Sequence, residues 1–277
     1  MNRETYVIVA AVLVALTGLG LWYWYWVDRA TPISTSMPTP TAPTPVVEAP
    51  PPAASEPAIT DPIESFAAAS DPEASPLKLE AALTDLFGRK TVLTLFQLED
   101  FARQAVATVD NLGRPAAPAR LWPLNPAGGR FTVIKQGAAE TISSDNGLRY
   151  TPYVLLLENV DLGQAVALYR RFYAQFQQAY EDLGSPKRHF NARLVEVLDL
   201  LMAAPEAGGA IKVHLPTIEG PIQPERPWVL YEFDDPVLQS LSAGQQILVR
   251  MGLVNQRRVK VKLTETRALV TAGTPGR

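Results

Sequence analysis

The sequence predicts a mainly α-helical protein in three parts: an N-terminal transmembrane helix, a disordered Pro-rich linker, and an α-helical domain with a few short β-strands that form a small hairpin. An uncharged apolar run comes first, a proline-rich stretch without basic residues follows, and the remainder shows helical periodicity with recognisable starts and stops. The predicted parts are residues 1–28, a cytoplasmic tail and anchor; 29–76, the linker; 77–270, the helical domain; and 271–277, a disordered tail.

The first 28 residues are interpreted as a membrane anchor. Residues 6–27 carry no charge and would extend roughly 33 Å as a helix, which is long enough to cross a bilayer. The run closes on WYWYW, and Trp and Tyr rings favour the level of the lipid headgroups. A cleaved signal peptide has a shorter apolar core and a small-x-small cleavage site, whereas this run ends in WVD. Arg3 and the free amino group precede the span, which favours an N-terminus on the cytoplasmic side.

The composition changes twice after the anchor. Residues 31–76 hold 12 of the 25 prolines, six acidic residues and no Lys or Arg, which predicts a semi-rigid spacer without a fixed fold. From Leu77 onward the chain has the composition of a globular domain, with 23 basic and 20 acidic residues. The folded part therefore carries a net charge near +3, although the whole chain is at -3.

Apolar residues at steps of three and four predict the helices of the domain. One covers LKLEAALTDLF and ends at Gly88, and a second runs from about Thr91 to Leu112. A long amphipathic helix begins after Asp161, which caps it together with Gln164.

The end of this long helix and the start of the next predict an antiparallel helical hairpin. Gly184 terminates the long helix, and Ser185-Pro186 offers an N-cap and a first-turn proline for the helix that follows. The five aromatic residues along the long helix share one face, so we expect them to be core rather than a ligand platform: Tyr169, Phe172, Tyr173, Phe176 and Tyr180.

The remaining segments are shorter. FTVIKQGAAETIS predicts a β-hairpin that turns near Gln136-Gly137, and IKVHL and PWVLYEF predict two more extended segments. Asp235-Pro236 starts a helical stretch that is interrupted or redirected near Ser242-Ala243-Gly244 and reaches Met251-Gly252. The segment NQRRVKVKLTETRALV fits both a helix and an alternating strand, and its lack of turn residues favours a helix.

Four segments of the domain resemble a known family. ATVDNL, ALYRRFYAQFQQAYEDLG, FNARLVEVLDLLMAAPE, and LSAGQQILVRMG with Asn255 after it, resemble the bacterial family known as domain of unknown function 3014. The resemblance covers roughly Leu77 to Leu269. It implies a single-pass envelope protein with a Pro-rich stretch before the domain. The family has no established activity, ligand or catalytic residue, so the resemblance implies architecture alone.

The chain lacks the signatures of familiar enzymes. It has no cysteine, no P-loop, no GxSxG and no GxGxxG, and its two histidines, His189 and His214, lack the spacing of metal ligands. We therefore predict no catalytic residue, no metal and no cofactor. The adjacent carboxylates Asp234-Asp235 precede a helix, where they can accept hydrogen bonds from its first N–H groups in a structural role.

The most polarised charge lies near the C-terminus. The candidate interaction residues are Arg250, Arg257, Arg258, Lys260 and Lys262, with Arg267 nearby and only Glu265 opposing them. They form either an ordinary solvated helix face or a contact for anionic lipid or an acidic partner.

These observations predict a membrane-anchored periplasmic protein of the bacterial inner membrane, a non-enzymatic interaction or scaffold module of the cell envelope. Its expected partners are the cytoplasmic membrane, through the N-terminal helix, and an envelope protein or cell-wall component. Nucleic acid is not expected, because the domain is expected to lie outside the cytoplasm. Two alternatives stay open: a peptidoglycan-acting envelope enzyme with an unrecognised carboxylate pair, and a purely structural assembly subunit.

Overall fold

A computed structural model describes residues 70–71, 73–217 and 224–272. This part of the chain is mainly helical and carries a small antiparallel sheet of four strands, in agreement with the predicted class of the domain. The helices are α1 (Pro76–Phe87), α2 (Arg89–Leu95), α3 (Phe101–Leu112), α4 (Asn146–Asn159), α5 (Leu162–Arg171), α6 (Tyr173–Asp182), α7 (Phe190–Met202), α8 (Pro236–Gln239), α9 (Ala243–Arg250) and α10 (Leu253–Thr271). The strands are β1 (Val133–Gln136), β2 (Ala139–Ile142), β3 (Lys212–His214) and β4 (Glu232–Phe233).

Helix α1 follows the sequence rules for helix ends. The Ser75 hydroxyl accepts a hydrogen bond from the Lys78 amide, and Pro76 occupies the first turn. The helix stops at Gly88, whose φ of 80° is a conformation that favours glycine. The predicted stop is confirmed.

The predicted helix from Thr91 to Leu112 is wrong as a single element, because the chain breaks between α2 and α3. Phe96 is extended and pairs with Leu124 in an isolated β-bridge. Its ring lies 4.8 Å from that of Phe87, between centroids. Asp100, with a φ of 51°, then turns the chain into α3. Contacts distant in sequence therefore override a helical periodicity that continues across the break.

The predicted long helix also divides, at Phe172, which is fully buried. The break frees backbone groups that residues from the beginning of the described chain satisfy. The Ala174 amide donates to the Ser70 hydroxyl at 2.9 Å, and the Asp71 amide donates to the Arg171 carbonyl at 2.9 Å. We call Ser70 and Asp71 with these contacts the clasp. It lies within the segment that the sequence assigns to the linker.

Helix α7 starts later than predicted. Its first residue is Phe190, and the N-cap position is His189, whose side chain makes no capping bond. The side-chain oxygen of Gln177, on α6, instead accepts the Phe190 amide at 2.8 Å. The prediction that Ser185-Pro186 starts this helix is wrong, because the cap is supplied from the preceding helix.

The sheet has the order β1-β2-β3-β4, with all pairs antiparallel. The predicted hairpin is confirmed: Gln136 pairs with Ala139, and Gly137 has a φ of 63°. Only Glu232–Phe233 of PWVLYEF is a strand, since Pro227–Val229 forms a 3-10 turn. The buried side of the sheet packs Val213 and Phe233 against α8 and α9.

The aromatic stripe is core, as predicted. Phe172, Tyr173, Phe176 and Tyr180 are buried, and Tyr169 packs on them with its ring 5.4 Å from that of Phe176. Helix α10 packs against α4, α5 and α7 and confirms the helical interpretation of its segment. The predicted redirection before α9 is confirmed by a capping box between Ser242 and Gln245.

Within residues 70–71, 73–217 and 224–272, none of the helices combines the length and the apolarity that crossing a bilayer requires. The predicted span at residues 6–27 and most of the predicted linker lie outside the described residues.

Candidate functional site

Arg250, the first of the predicted interaction residues, is largely buried at the end of α9. Its guanidinium carbon lies 4.7 Å from the centre of the Phe233 ring, and its Nη2 donates to the Tyr231 carbonyl at 2.8 Å. Burial lowers the pKa of Arg250 below its ordinary value. This side chain joins the sheet to α9 and contributes little to the outer surface.

The other four predicted residues lie on α10 and have partners within the domain. Arg257 donates to Glu206 at 2.8 Å, and Arg258 makes a two-pronged ion pair with Glu158. Lys260 donates to the Ala204 carbonyl at 2.6 Å.

Lys262 pairs with Glu265 at 2.9 Å. Hydrogen bonds from Arg258 and Arg257 hold the pKa values of Glu158 and Glu206 below their ordinary values. The structure therefore does not gather the five cations on one free surface. Their role as an interaction surface stays a prediction, and Arg257 is the most exposed of the four on α10.

Three of the four segments that carry the family resemblance meet at the junction of α3, α7 and α9. The Ala243 amide donates to the Arg114 carbonyl at 2.7 Å. Gly244 is closely covered, because an added Cβ would overlap the Leu201 side chain and lie 3.0 Å from the Leu112 carbonyl oxygen. The segments thus supply a tight helix junction.

An ion-pair network reinforces this junction. Arg193 Nε lies 2.9 Å from an Asp110 carboxylate oxygen, Nη2 donates to the Asp110 carbonyl at 3.0 Å, and Nη1 lies 3.1 Å from Glu196. Burial opposes the charge on Arg193, but these acceptors outweigh it and raise its pKa. All three guanidinium nitrogens are occupied, so the network has a structural role.

The carboxylate pair at 234–235 is also structural, as predicted for Asp235. Asp235 accepts the Val237 amide at 2.8 Å at the start of α8. Asp234 lies 2.7 Å from Nδ1 of His214, and both side chains are about half exposed. Among the residues that the structure describes, His, Asp and Glu form no cluster of three or more that could hold a metal ion.

The carboxyl groups whose pKa is shifted in the described residues all have a lowered pKa. In the described ranges the five such groups have lowered values: Asp71, Glu140, Glu158, Asp199 and Glu206. The main cause is a hydrogen bond from the Glu73 amide for Asp71 and from a Lys or Arg side chain for the other four. A general acid needs the opposite displacement, which burial would produce.

An open groove lies between α1, α3 and α6, with a volume of about 450 Å³. This is within the range of sites that bind small molecules or peptide side chains. Its apolar lining includes Leu79, Leu98, Phe101 and Ala179. The charged residues at its lip are Glu80, Asp100, Arg103 and Asp182. We call this surface the α1–α3–α6 groove.

A second groove of about 390 Å³ lies where α1 and α2 face α4. Phe87, Leu95 and Leu156 contribute to its lining, and Lys90 is its only charged residue. It has neither the acidic lip nor the mixed charge of the α1–α3–α6 groove.

The sequence predicts none of the groove residues, because the groove arises from the placement of three helices. One local signal was present in the small residues Ala102, Ala174 and Ala179, which lie at the groove. Small residues leave space that larger neighbours on the same face would fill.

Comparison with known proteins returned one family. The family model described as "Protein of unknown function (DUF3014)" matches residues 101–267, which is more than half of the 277-residue chain. The four segments on which the predicted resemblance rests all fall inside this range, so the resemblance is confirmed. No curated protein and no solved structure matches the chain.

Proposed function

We propose that this chain, which belongs to the DUF3014 family of proteins of unknown function, is a membrane-anchored, non-enzymatic interaction module of the bacterial cell envelope. In this proposal residues 6–27 hold the protein in the inner membrane and the helical domain lies in the periplasm. Its partner is an envelope protein or a cell-wall component. The uncharged run, its aromatic collar and the Pro-rich spacer support the anchor.

The observation that carries the interaction function is the contrast between the α1–α3–α6 groove and the charged surfaces of α10 and of the α3–α7 junction. On α10 and at the α3–α7 junction, cations and carboxylates neutralise one another. At the groove, apolar lining is open and Glu80, Arg103 and Asp182 have no ion-pair partner among the described residues. Open apolar surface with a charged rim is typical of a docking site.

The competing proposal, an envelope hydrolase, receives less support. Glycoside hydrolysis needs one carboxylic acid with a raised pKa beside a second carboxylate. In the described part of the chain, the five carboxyl groups with a shifted pKa have a lowered pKa instead, and in each the main cause is a hydrogen-bond donor. They have the properties of structural ion pairs.

Attachment to the membrane would raise the effective concentration of the domain toward envelope partners. A spacer limits the distance between the domain and the bilayer, so the effective concentration of the groove toward envelope partners rises without a new contact. The five basic residues Arg250, Arg257, Arg258, Lys260 and Lys262 remain a proposed second contact, for an acidic surface.

Topology is tested with spheroplasts of cells that express the full chain with a C-terminal epitope. We expect external protease to remove the epitope, and N-terminal sequencing of the purified protein to start upstream of residue 6. Protection of the epitope would overturn the periplasmic placement. A mature chain that starts after Val27 would overturn the anchor.

The interaction function is tested by crosslinking in cells and quantitative mass spectrometry of the purified full chain. Ala174→Trp places a large ring in the groove, and Ala138→Trp, in the exposed β1–β2 turn, is the matched control. We expect one or more envelope proteins to be recovered with wild type and Ala138→Trp and depleted with Ala174→Trp. Equal recovery with all three proteins would exclude the groove as the docking site.

A further inference from the structure

We infer that the α1–α3–α6 groove binds a cationic amphipathic polypeptide segment, with apolar side chains on the groove floor and Lys or Arg at its lip. This inference rests on the proposed docking role of the groove. It does not depend on the membrane anchor or on the periplasmic placement.

The floor of the groove fits apolar side chains. Leu79 and Ala179 are buried beneath it, and Leu98 and Phe101 are partly exposed beside them. A volume of about 450 Å³ accommodates several aliphatic side chains and is too small for a folded domain. A segment with apolar residues on one side is therefore the class of ligand that the floor selects.

The lip selects a positive charge. Glu80, Asp100 and Asp182 contribute three carboxylates against the single Arg103, so the lining has a net charge of -2. None of these four groups forms an ion pair within the described residues. Asp100 precedes α3, yet its carboxylate caps no amide of that helix. A domain with a net charge near +3 thus keeps an unneutralised negative site at this groove.

The end of α6 adds to this negative potential. Glu181 and Asp182 occupy the last turn of α6, where the helix dipole is itself negative. Carboxylates at this end of a helix are unfavourably placed, and no basic residue of the last turn compensates them. A ligand cation beside Asp182 would offset both the carboxylate charge and the negative end of the helix dipole.

Charge argues against two other occupants. Residues 57–69, which precede the clasp, contain Asp61 and Glu64 and no Lys or Arg, so they would add negative charge to a negative lip. In a second copy of the domain, the basic residues of α10 already pair with carboxylates, which leaves them less available to the lip. A separate cationic segment is the occupant that the lip favours.

The test uses the full chain in nanodiscs of neutral phosphatidylcholine, with empty nanodiscs as the blank. The probe is a fluorescein-labelled peptide of the repeat Lys-Leu-Ala-Lys-Leu-Ala-Lys, and the matched peptide has Glu in place of each Lys. Fluorescence anisotropy reports binding. We expect saturable binding of the Lys peptide that weakens with added salt, and no binding of the Glu peptide.

Two pairs of variants locate the site. Glu80→Lys with Asp182→Lys should weaken binding of the Lys peptide by about tenfold or more, because two attractive contacts become repulsive. Asp85→Lys with Glu225→Lys makes the same change in net charge on exposed residues outside the groove and should leave the affinity within about twofold. Ala174→Trp should block binding at constant charge, whereas Ala138→Trp should not.

Each outcome decides the inference. Equal binding of both peptides, equal loss in both charge-reversed proteins, or binding that survives Ala174→Trp would overturn it. So would a concentration-dependent dimer, seen by analytical ultracentrifugation, that competes with the peptide, because the occupant would then be a second copy. A cytoplasmic location of the domain would contradict the proposed function and leave the peptide result standing.

Discussion

Asp71 and Arg171 are joined both through the backbone and through their side chains. The Asp71 amide donates to the Arg171 carbonyl at 2.9 Å, and Nε and Nη2 of Arg171 both lie 3.3 Å from one Asp71 carboxylate oxygen. Together with the Ser70 hydroxyl on the Ala174 amide, this contact fixes the beginning of the domain to the α5–α6 junction. The clasp therefore ties the first described residues to the helical core.

The first prediction concerns the clasp. Asp71→Ala removes the acceptor for Arg171, so we expect faster amide hydrogen exchange at residues 70–75 and at Ala174, with little change in the exchange of α10. Glu73→Ala is the control, because Glu73 is exposed and its ion pair in the described part of the chain is with the exposed Lys78. Mass spectrometry of exchanged peptides makes the measurement. Equal protection in both variants would mean that the clasp does not order this segment.

The second prediction is the acid dependence of stability. The pKa of Asp71 is lowered, mainly by the Glu73 amide and further by Arg171, and the pKa values of Glu158, Asp199 and Glu206 are lowered mainly by their arginine partners. A carboxyl group whose pKa is lower in the folded protein stabilises the fold at pH values above its unfolded-state pKa of about 4. This stabilisation is lost as the pH falls through the folded-state pKa. We expect constant urea midpoints between about pH 5 and 8 and a decline below about pH 4. A decline between pH 5 and 7 would assign the dependence to other groups.

The third prediction concerns Gly244. Gly244→Ala places a methyl group against Leu201 and the Leu112 carbonyl, which costs about 1–3 kcal/mol through overpacking. The gain in helix propensity returns at most about 1 kcal/mol, so net destabilisation is expected. Gly208→Ala is the control, because nothing lies within 4 Å of its added Cβ. Urea unfolding measures the stability of both variants. Equal midpoints would show that the junction accommodates the added methyl group without loss of stability.

The fourth prediction separates two neighbouring glutamines of α6. Gln177 accepts the Phe190 amide and donates to the Arg188 carbonyl, so Gln177→Ala removes the cap of α7 and should cost about 1–2 kcal/mol. Gln178→Ala changes the same residue type in the same helix, but the Gln178 side chain donates to the exposed Asp182 carboxylate and caps no helix. We expect its effect to stay within about 0.5 kcal/mol in thermal or urea unfolding. Similar losses in the two variants would contradict the capping role.

The helices and strands were largely predictable because their signals are local. Gly88, Gly137 and Gly184 each have a positive φ and end or turn the element that the sequence assigned to them. The two errors in helix continuity lie at Phe96, whose backbone bridges to Leu124, and at Phe172, which is buried in a cluster with Leu79 and Val106. Periodicity continues through both positions, and only the tertiary contacts reveal the breaks.

The candidate site was much less predictable. The basic residues of α10 were evident from composition, but the partners that neutralise them, such as Glu158 for Arg258, lie up to one hundred residues away. The α1–α3–α6 groove combines residues from Ala74 to Asp182. Its shape depends on how three helices pack, which sequence periodicity does not determine.

The position of α10 has a consequence for the nascent protein. This helix, residues 253–271, packs against α4, α5 and α7, and Val259 joins the cluster that contains Val154 and Leu201. Synthesis proceeds from the N-terminus, so these apolar side chains lack their α10 neighbours until the ribosome has passed residue 271. The domain therefore completes its fold only after nearly all of it has been made.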